Sequence, residues 1–268
     1  MGNIEKMFAG RGSIPGLATG FRDLDALTLG LRGGNLFVIA ARPSMGKTAL
    51  AMNIAEHLAL DQKIPVGVFS LDQSAEELVT RMLCSRASIN LRAIHNGLSK
   101  ETDCTALKTT ASALIKAPLY IDDTAGLTID QICARARRMH QQHGIQLLVI
   151  DYLQLMKTPT VDLPSDLKAL AKELDIPIIV LSQLNRQPET RDGQPQLEDL
   201  HDYGELEQYA DIVGLLVRME LYEDDQASRE KLTGQATLII AKQRSGPTGS
   251  VNLKFISDCA RFEDAVQL

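Results

Sequence analysis

Seven apolar runs recur along the chain: "LFVIAA" from Leu36, "VGVFSL" from Val66, "LYIDD" from Leu119, "IQLLVIDYLQL" from Ile145, "IPIIVLSQL" from Ile176, "DIVGLLVR" from Asp211 and "ATLIIAK" from Ala236. Longer, helix-like segments separate them. Runs that are apolar nearly throughout, rather than at every second position, belong to strands covered on both faces. That pattern predicts an α/β fold, a mostly parallel sheet with helices on both sides. Capping-box spacing at "SAEE" (Ser74 to Glu77) and "TIDQ" (Thr128 to Gln131) marks two helix starts. The last two strands, joined through "SGPTG", read instead as a β-hairpin. At its mouth, "AKQRSGPTG" places Lys242 and Arg244 two residues apart. Strand alternation aims both cations one way and Ala241 and Gln243 the other. Solvated strand-end charges would explain them, and so would cations that probe an anion held elsewhere.

"AARPSMGKTAL" follows the first strand and opens a helix, the setting in which a P-loop match is credible. The backbone N–H groups of Ser44, Met45, Gly46, Lys47, Thr48 and Ala49 would converge on phosphates at the positive end of the helix. Lys47 would neutralise the β and γ oxygens, and Thr48 would ligate Mg²⁺. Ala41 stands where the GxxxxGK[ST] pattern has its first glycine. "LLVIDYLQL" supplies a strand ending in Asp151, placed to hold Mg²⁺ as a Walker B carboxylate. The anion is then a nucleoside triphosphate, ATP first among them. Hydrolysis also needs a carboxylate to orient or deprotonate water. Tyr152 follows Asp151, so that role falls to Asp72 in "VFSLDQS". Gln183, ending "IIVLSQ", could sense the γ-phosphate or simply bond a loop.

Composition narrows the class further. A chain of 268 residues suits one large domain, or a domain with a small appendage. A net charge of -6 argues against a generally basic nucleic-acid coat. A local basic stripe could still hide inside that sum. Cys84, Cys104, Cys133 and Cys259 form no CxxC pair, so neither a zinc site nor a disulfide framework is expected, and a reducing cytosol is the natural compartment. No apolar run reaches membrane-spanning length. "MGNIEKMFAG" lacks a signal-peptide core.

Together "TGFRDLDALTLGL", "AARPSMGKTALAMNIA", "FSLDQSAEELVTRML", "APLYIDDTAGLTIDQICARARR", "LLVIDYLQLM", "LKALAKELDIPIIVLSQLNR", "LEQYADIVGLLVR" and "AKQRSGPTG" resemble the RecA-like ATPase domain of the DnaB family of bacterial replicative DNA helicases. The resemblance runs from about residue 19 to residue 262, in the family's order. It implies a homohexameric ring that grips single-stranded DNA and moves 5′ to 3′ by ATP hydrolysis at subunit interfaces. It also implies that Lys242 and Arg244 reach the γ-phosphate held by a neighbouring P-loop. Residues 1–18 are then a linker, whose helix "NIEKMF" would dock on an adjacent subunit, and residues 19–268 are the motor domain. A primase or a helicase loader is a possible partner. The chain starts at the linker, so the family's N-terminal domain, which forms a collar and meets primase, is expected to be lacking, by truncation or by natural shortness.

Several positions depart from the family. Asp72 stands where a glutamate is usual, a loss of reach of about 1 Å, and misplacement on that scale can cost about a hundredfold in rate. Only "KTPTVDLPSD" follows "YLQLM", so one DNA-facing loop is short. In the other, "LEDLHDYGELEQ", His201 and Asp202 replace the usual Arg and Glu, while Gly204 keeps its place and could offer N–H groups to a phosphate. These departures motivate a second reading, a degenerate ring component or loader-like partner that binds ATP and hydrolyses it weakly. A recombinase-like or clock-type relative is disfavoured by the hairpin, and a small-molecule kinase by the lack of a lid. His140 and His143 read as a basic helix C-terminus ended by Gly144 rather than as metal ligands. The acidic "YEDDQASRE" reads as a solvated loop, and Met45 and Met82 read as packing residues.

Overall fold

The computed structural model describes residues 14–96, 101–151, 153, 163–184, 194–203, 206–223 and 225–265. Its sheet runs β3-β2-β4-β5-β1-β6-β7-β8-β9. The strands are β1 Leu36–Ala41, β2 Val66–Ser70, β3 Leu119–Asp122, β4 Leu147–Asp151, β5 Ile178–Gln183, β6 Ile212–Val217, β7 Gln235–Gln243, β8 Gly249–Ile256 and β9 Arg261–Asp264. β1 to β6 are parallel neighbours, and β7, β8 and β9 add on antiparallel. All seven apolar runs became strands, and the α/β expectation holds.

The reason lies in the two cores. In β1, Phe37, Ile39 and Ala41 face one apolar cluster, and Leu36, Val38 and Ala40 face the other. Helices α2 Lys47–Glu56 and α3 Ala75–Ala87 cover the first cluster with Leu50, Ile54, Leu78 and Met82. Helices α6 Ile129–His143 and α7 Leu163–Leu174 cover the second with Ile132, Ala136, Leu167 and Leu170. Each fully buried Leu or Ile side chain contributes on the order of 2 kcal/mol. Among the described residues the remaining α-helices are α1 Arg22–Thr28, α4 Leu91–His95, α5 Glu101–Leu114, α8 Leu206–Tyr209 and α9 Gln226–Leu232. Ahead of α1, Leu17 and Leu31 pair in an isolated antiparallel bridge.

Both capping boxes form: Ser74 accepts from Glu77 N, and Thr128 accepts from Gln131 N. Gly144, at φ 63, ends α6 as expected. The His143 ring stacks on Tyr120, with centroids 3.9 Å apart.

Three local readings need correction. "LPSD" is the first turn of α7 rather than part of a loop. The acidic stretch contains α9, because Asp225 caps it by accepting from Ser228 N at 2.8 Å. β9 was not anticipated: four residues with Phe262 alone buried carry too little periodicity to read. "NIEKMF", Tyr152, Gly204 and most of the short "KTPTVDLPSD" loop lie outside the described residues.

Candidate nucleotide site and hairpin cations

β1 ends at Ala41, and residues 42–46 turn the chain into α2. Ala41 pairs with Gln183 on one side and Leu216 on the other, so its backbone is ordinary strand. No left-handed conformation is required there, which explains why the missing first glycine is tolerated. Gly46 is different. Its φ is 95°, and a Cβ on it would stand 3.0 Å from the Phe262 ring. Ser44 also takes a left-handed φ of 67°. Met45 drops into the core while Ser44 stays exposed. The turn thus anchors itself by one side chain and presents its backbone outward. Ser44, Gly46, Lys47, Thr48 and Ala49 all line one cleft at the start of α2.

The carboxylates come from the adjoining strands. β2 and β4 are parallel neighbours with Ser70 opposite Asp151. Asp151 is 1% exposed, and among the described residues neither of its oxygens has a well-formed hydrogen-bond donor. Burial pushes its carboxyl above the usual range, and Asp72 pushes the same way, while nearby Thr48 and Lys47 hold it down. A buried carboxylate with two unsatisfied oxygens is costly unless a cation completes it. The pair Asp151 and Thr48, both oxygen donors, fits Mg²⁺. Asp72, two residues beyond β2, is exposed and lines the same cleft as Lys47 and Thr48. Gln183 ends β5 beside Ala41 at the root of the P-loop. These residues therefore gather at the carboxyl ends of strands around β1, where the strand order reverses.

Three cations in or behind the cleft escaped the sequence reading. Arg42 and Arg81 line it, and Arg81 donates to Gln73 Oε1 at 3.0 Å. Arg218 is buried behind it. Its guanidinium lies 4.0 Å from the Phe255 ring centroid, donates to Ser44 O at 3.3 Å and bonds the Glu220 carboxylate. It therefore braces the P-loop turn from below. The charge closing the apolar run "DIVGLLVR" was a visible signal for Arg218. Nothing local marks Arg81, which depends on α3 folding over α2.

The hairpin cations are re-aimed by a bulge. β6 pairs Val213 with Lys242 and Gly214 with Ile240, leaving Ala241 as an extra residue in β7. Before it, Ala236, Leu238 and Ile240 face the α2 side, and Ile239 and Ala241 face the other. After it, Lys242 Nζ donates to Glu207 O at 2.5 Å, and Arg244 Nη2 donates to Gln208 O, both at the end of α8. Gln243 points back and donates to Leu27 O of α1 at 3.3 Å. Lys242 and Arg244 share a face, as the spacing implies. Ala241 does not share that of Gln243, because a bulge shifts the alternation by one residue. Among the described residues lining the P-loop cleft, neither hairpin cation occurs.

His201 and Asp202 sit on a 3-10 turn, Leu197–Tyr203, just before α8. No described helix is long and apolar enough to cross a membrane.

Residues 16–264 match the DnaB-like helicase C terminal domain. The chain is 39% identical to the replicative DNA helicase DnaC of Bacillus subtilis and 40% identical to the replicative DNA helicase DnaB of Geobacillus stearothermophilus, with 97% of its length aligned in each case. It spans 59% of the length of these curated relatives. Among solved structures, one described as an ATPase domain superposes with a TM-score of 0.90 at 34% identity, covering 98% of this chain and 96% of that one. A DnaB-like replicative helicase described with its interactions with primase also superposes at 0.90, this chain covering 67% of it.

Proposed function

The chain belongs to the DnaB-like helicase C-terminal domain family, and from that premise we propose that it is the ATP-hydrolysing motor of a replicative DNA helicase. The supporting observation is that Lys47, Thr48 and Asp72 line one cleft with the buried Asp151 beside Thr48, while Lys242 and Arg244 lie outside that cleft, bonded to carbonyls of α8. A pocket with its cradle in one subunit and its cations directed elsewhere is completed by a second copy.

In this reading the backbone from Ser44 to Ala49 and the Lys47 ammonium bind the triphosphate. Thr48 and Asp151 would hold Mg²⁺, which when bound neutralises phosphate charge. Asp72 Oδ accepts a proton from the attacking water. Gln183 reports the γ-phosphate to the root of the loop. Lys242 and Arg244 stabilise charge on the nucleotide of the adjacent subunit, so that turnover depends on assembly. The assembly is a homohexameric ring translocating 5′ to 3′ on single-stranded DNA, with His201, Asp202 and Gly204 on the strand-facing loop. Residues 1–18 serve as a linker ahead of the motor domain, the compartment is the cytoplasm, and a primase or loader is the expected protein partner.

ATPase activity measured against protein concentration, with and without single-stranded DNA, tests this. Specific activity should climb with concentration and climb further with DNA. Full activity in a strictly monomeric sample would overturn it. The aspartate at position 72 favours one alternative, a ring component that binds ATP and hydrolyses it weakly.

A further inference from the structure

Resting on that reading, we propose that Asp211 is a positioning residue for the trans cation Arg244 and sets the direction in which it leaves the hairpin. Asp211 follows α8 and precedes β6, and only 9% of it is exposed. One oxygen, Oδ2, accepts from Leu36 N at 2.8 Å and from Lys168 Nζ at 2.5 Å. Lys168 in turn donates to Gly34 O at 2.7 Å. These bonds fix the carboxylate to the start of β1 and to α7. Its other oxygen, Oδ1, lies 3.8 Å from Arg244 Nη1, and its carbonyl accepts Arg244 N at 2.8 Å. Arg244 is thus held at main chain and side chain by a single residue anchored in the core.

The geometry matters because Arg244 is a long, half-exposed side chain one residue past the end of β7. A guanidinium there has many rotamers, and each one lost on engagement costs free energy. The bulge at Ala241 selects the face. Asp211 and the α8 carbonyl of Gln208 narrow the choice on that face. A cation already confined to one sector meets a neighbouring phosphate with less ordering left to do. Such a residue acts on turnover rather than on affinity for nucleotide in its own cleft.

The obvious variant, Asp211→Asn, leaves the Lys168 ammonium buried without its partner and risks unfolding. The test is therefore run in a Lys168→Met background, in which the Asp211 carboxylate keeps Leu36 N and Arg244 as partners and its removal strands no ammonium, and chemical denaturation first checks that both chains are folded. ATP turnover at ring-forming concentration is compared for Lys168→Met and Lys168→Met/Asp211→Asn, with each repeated in an Arg244→Ala chain. The carboxylate's loss should lower kcat about tenfold with KM for ATP within about twofold, on the scale of a modest misplacement. In the Arg244→Ala chain the same loss should change nothing, because the two residues act as one unit. Equal kcat for the two parent variants, or an equal drop with and without Arg244, would overturn the positioning role. Unaffected turnover in Arg244→Ala alone would instead overturn the trans action on which the inference rests.

Discussion

The Phe262 ring lies 3.0 Å from where a Cβ would stand on Gly46, the residue that turns the P-loop into α2. Phe262 belongs to β9, its N–H is fixed by Asn53 Oδ1 of α2 at 2.8 Å, and its ring packs on Phe255 of β8. The antiparallel extension of the sheet therefore forms one wall of the nucleotide loop. Gly46→Ala faces both a left-handed φ and this ring. We expect a stability loss of about 1–2 kcal/mol from the backbone alone, together with weakened nucleotide binding. Chemical denaturation and titration of a fluorescent ATP analogue measure the two effects.

Asp72 provides the sharpest discrimination between motor and degenerate ring. Asp72→Ala should retain nucleotide binding and lose turnover by about a hundredfold or more, the range of a lost general base. Asp72→Glu restores the missing methylene. A rise in kcat would favour the weakly hydrolysing reading, and no gain would show that the aspartate already reaches its water.

Arg244→Ala should leave ATP affinity within about twofold while lowering DNA-stimulated turnover by about a thousandfold, the scale of an arginine supplied in trans. Mixing this variant with Lys47→Ala chains adds a second check. The mixture should recover turnover, because an intact cleft from one chain can meet an intact Arg244 from the other.

Asp61 makes part of the stability sensitive to acid. Hydrogen bonding from Arg86 is the main influence holding its carboxyl below the usual range; His57 assists, and partial burial opposes. The Arg86 Nη2 to Asp61 Oδ1 distance is 2.5 Å. A depressed folded value means that the unfolded chain takes up the proton first, so stability falls as pH falls. The contribution is complete above the unfolded carboxyl value of about 3.9 and is lost below it as the folded carboxyl titrates. Asp61→Asn should flatten this limb. Urea denaturation at neutral pH and at about pH 3 should show a smaller acid loss in the variant than in the parent chain.

What the sequence determined by itself was local. "LFVIAA" and the runs of β2, β4, β5 and β6 became buried strands because residues covered on both faces must be apolar at nearly every position, and that is written in consecutive letters; β3 is half-buried and β7 alternates, as strands nearer the ends of the sheet do. Ser74 and Thr128 capped helices because a hydroxyl three residues ahead of Glu77 or Gln131 satisfies N–H groups within its own turn. The P-loop was legible for the same reason, as turn, helix start and lysine are contiguous. Tertiary structure alone decided which groups meet from distant parts of the chain. It set Asp151 beside Thr48, laid Arg218 under Ser44 and folded Phe262 against Gly46. It also turned Lys242 and Arg244 toward α8, since a bulge is a mismatch between two strands and leaves no mark in either one read alone.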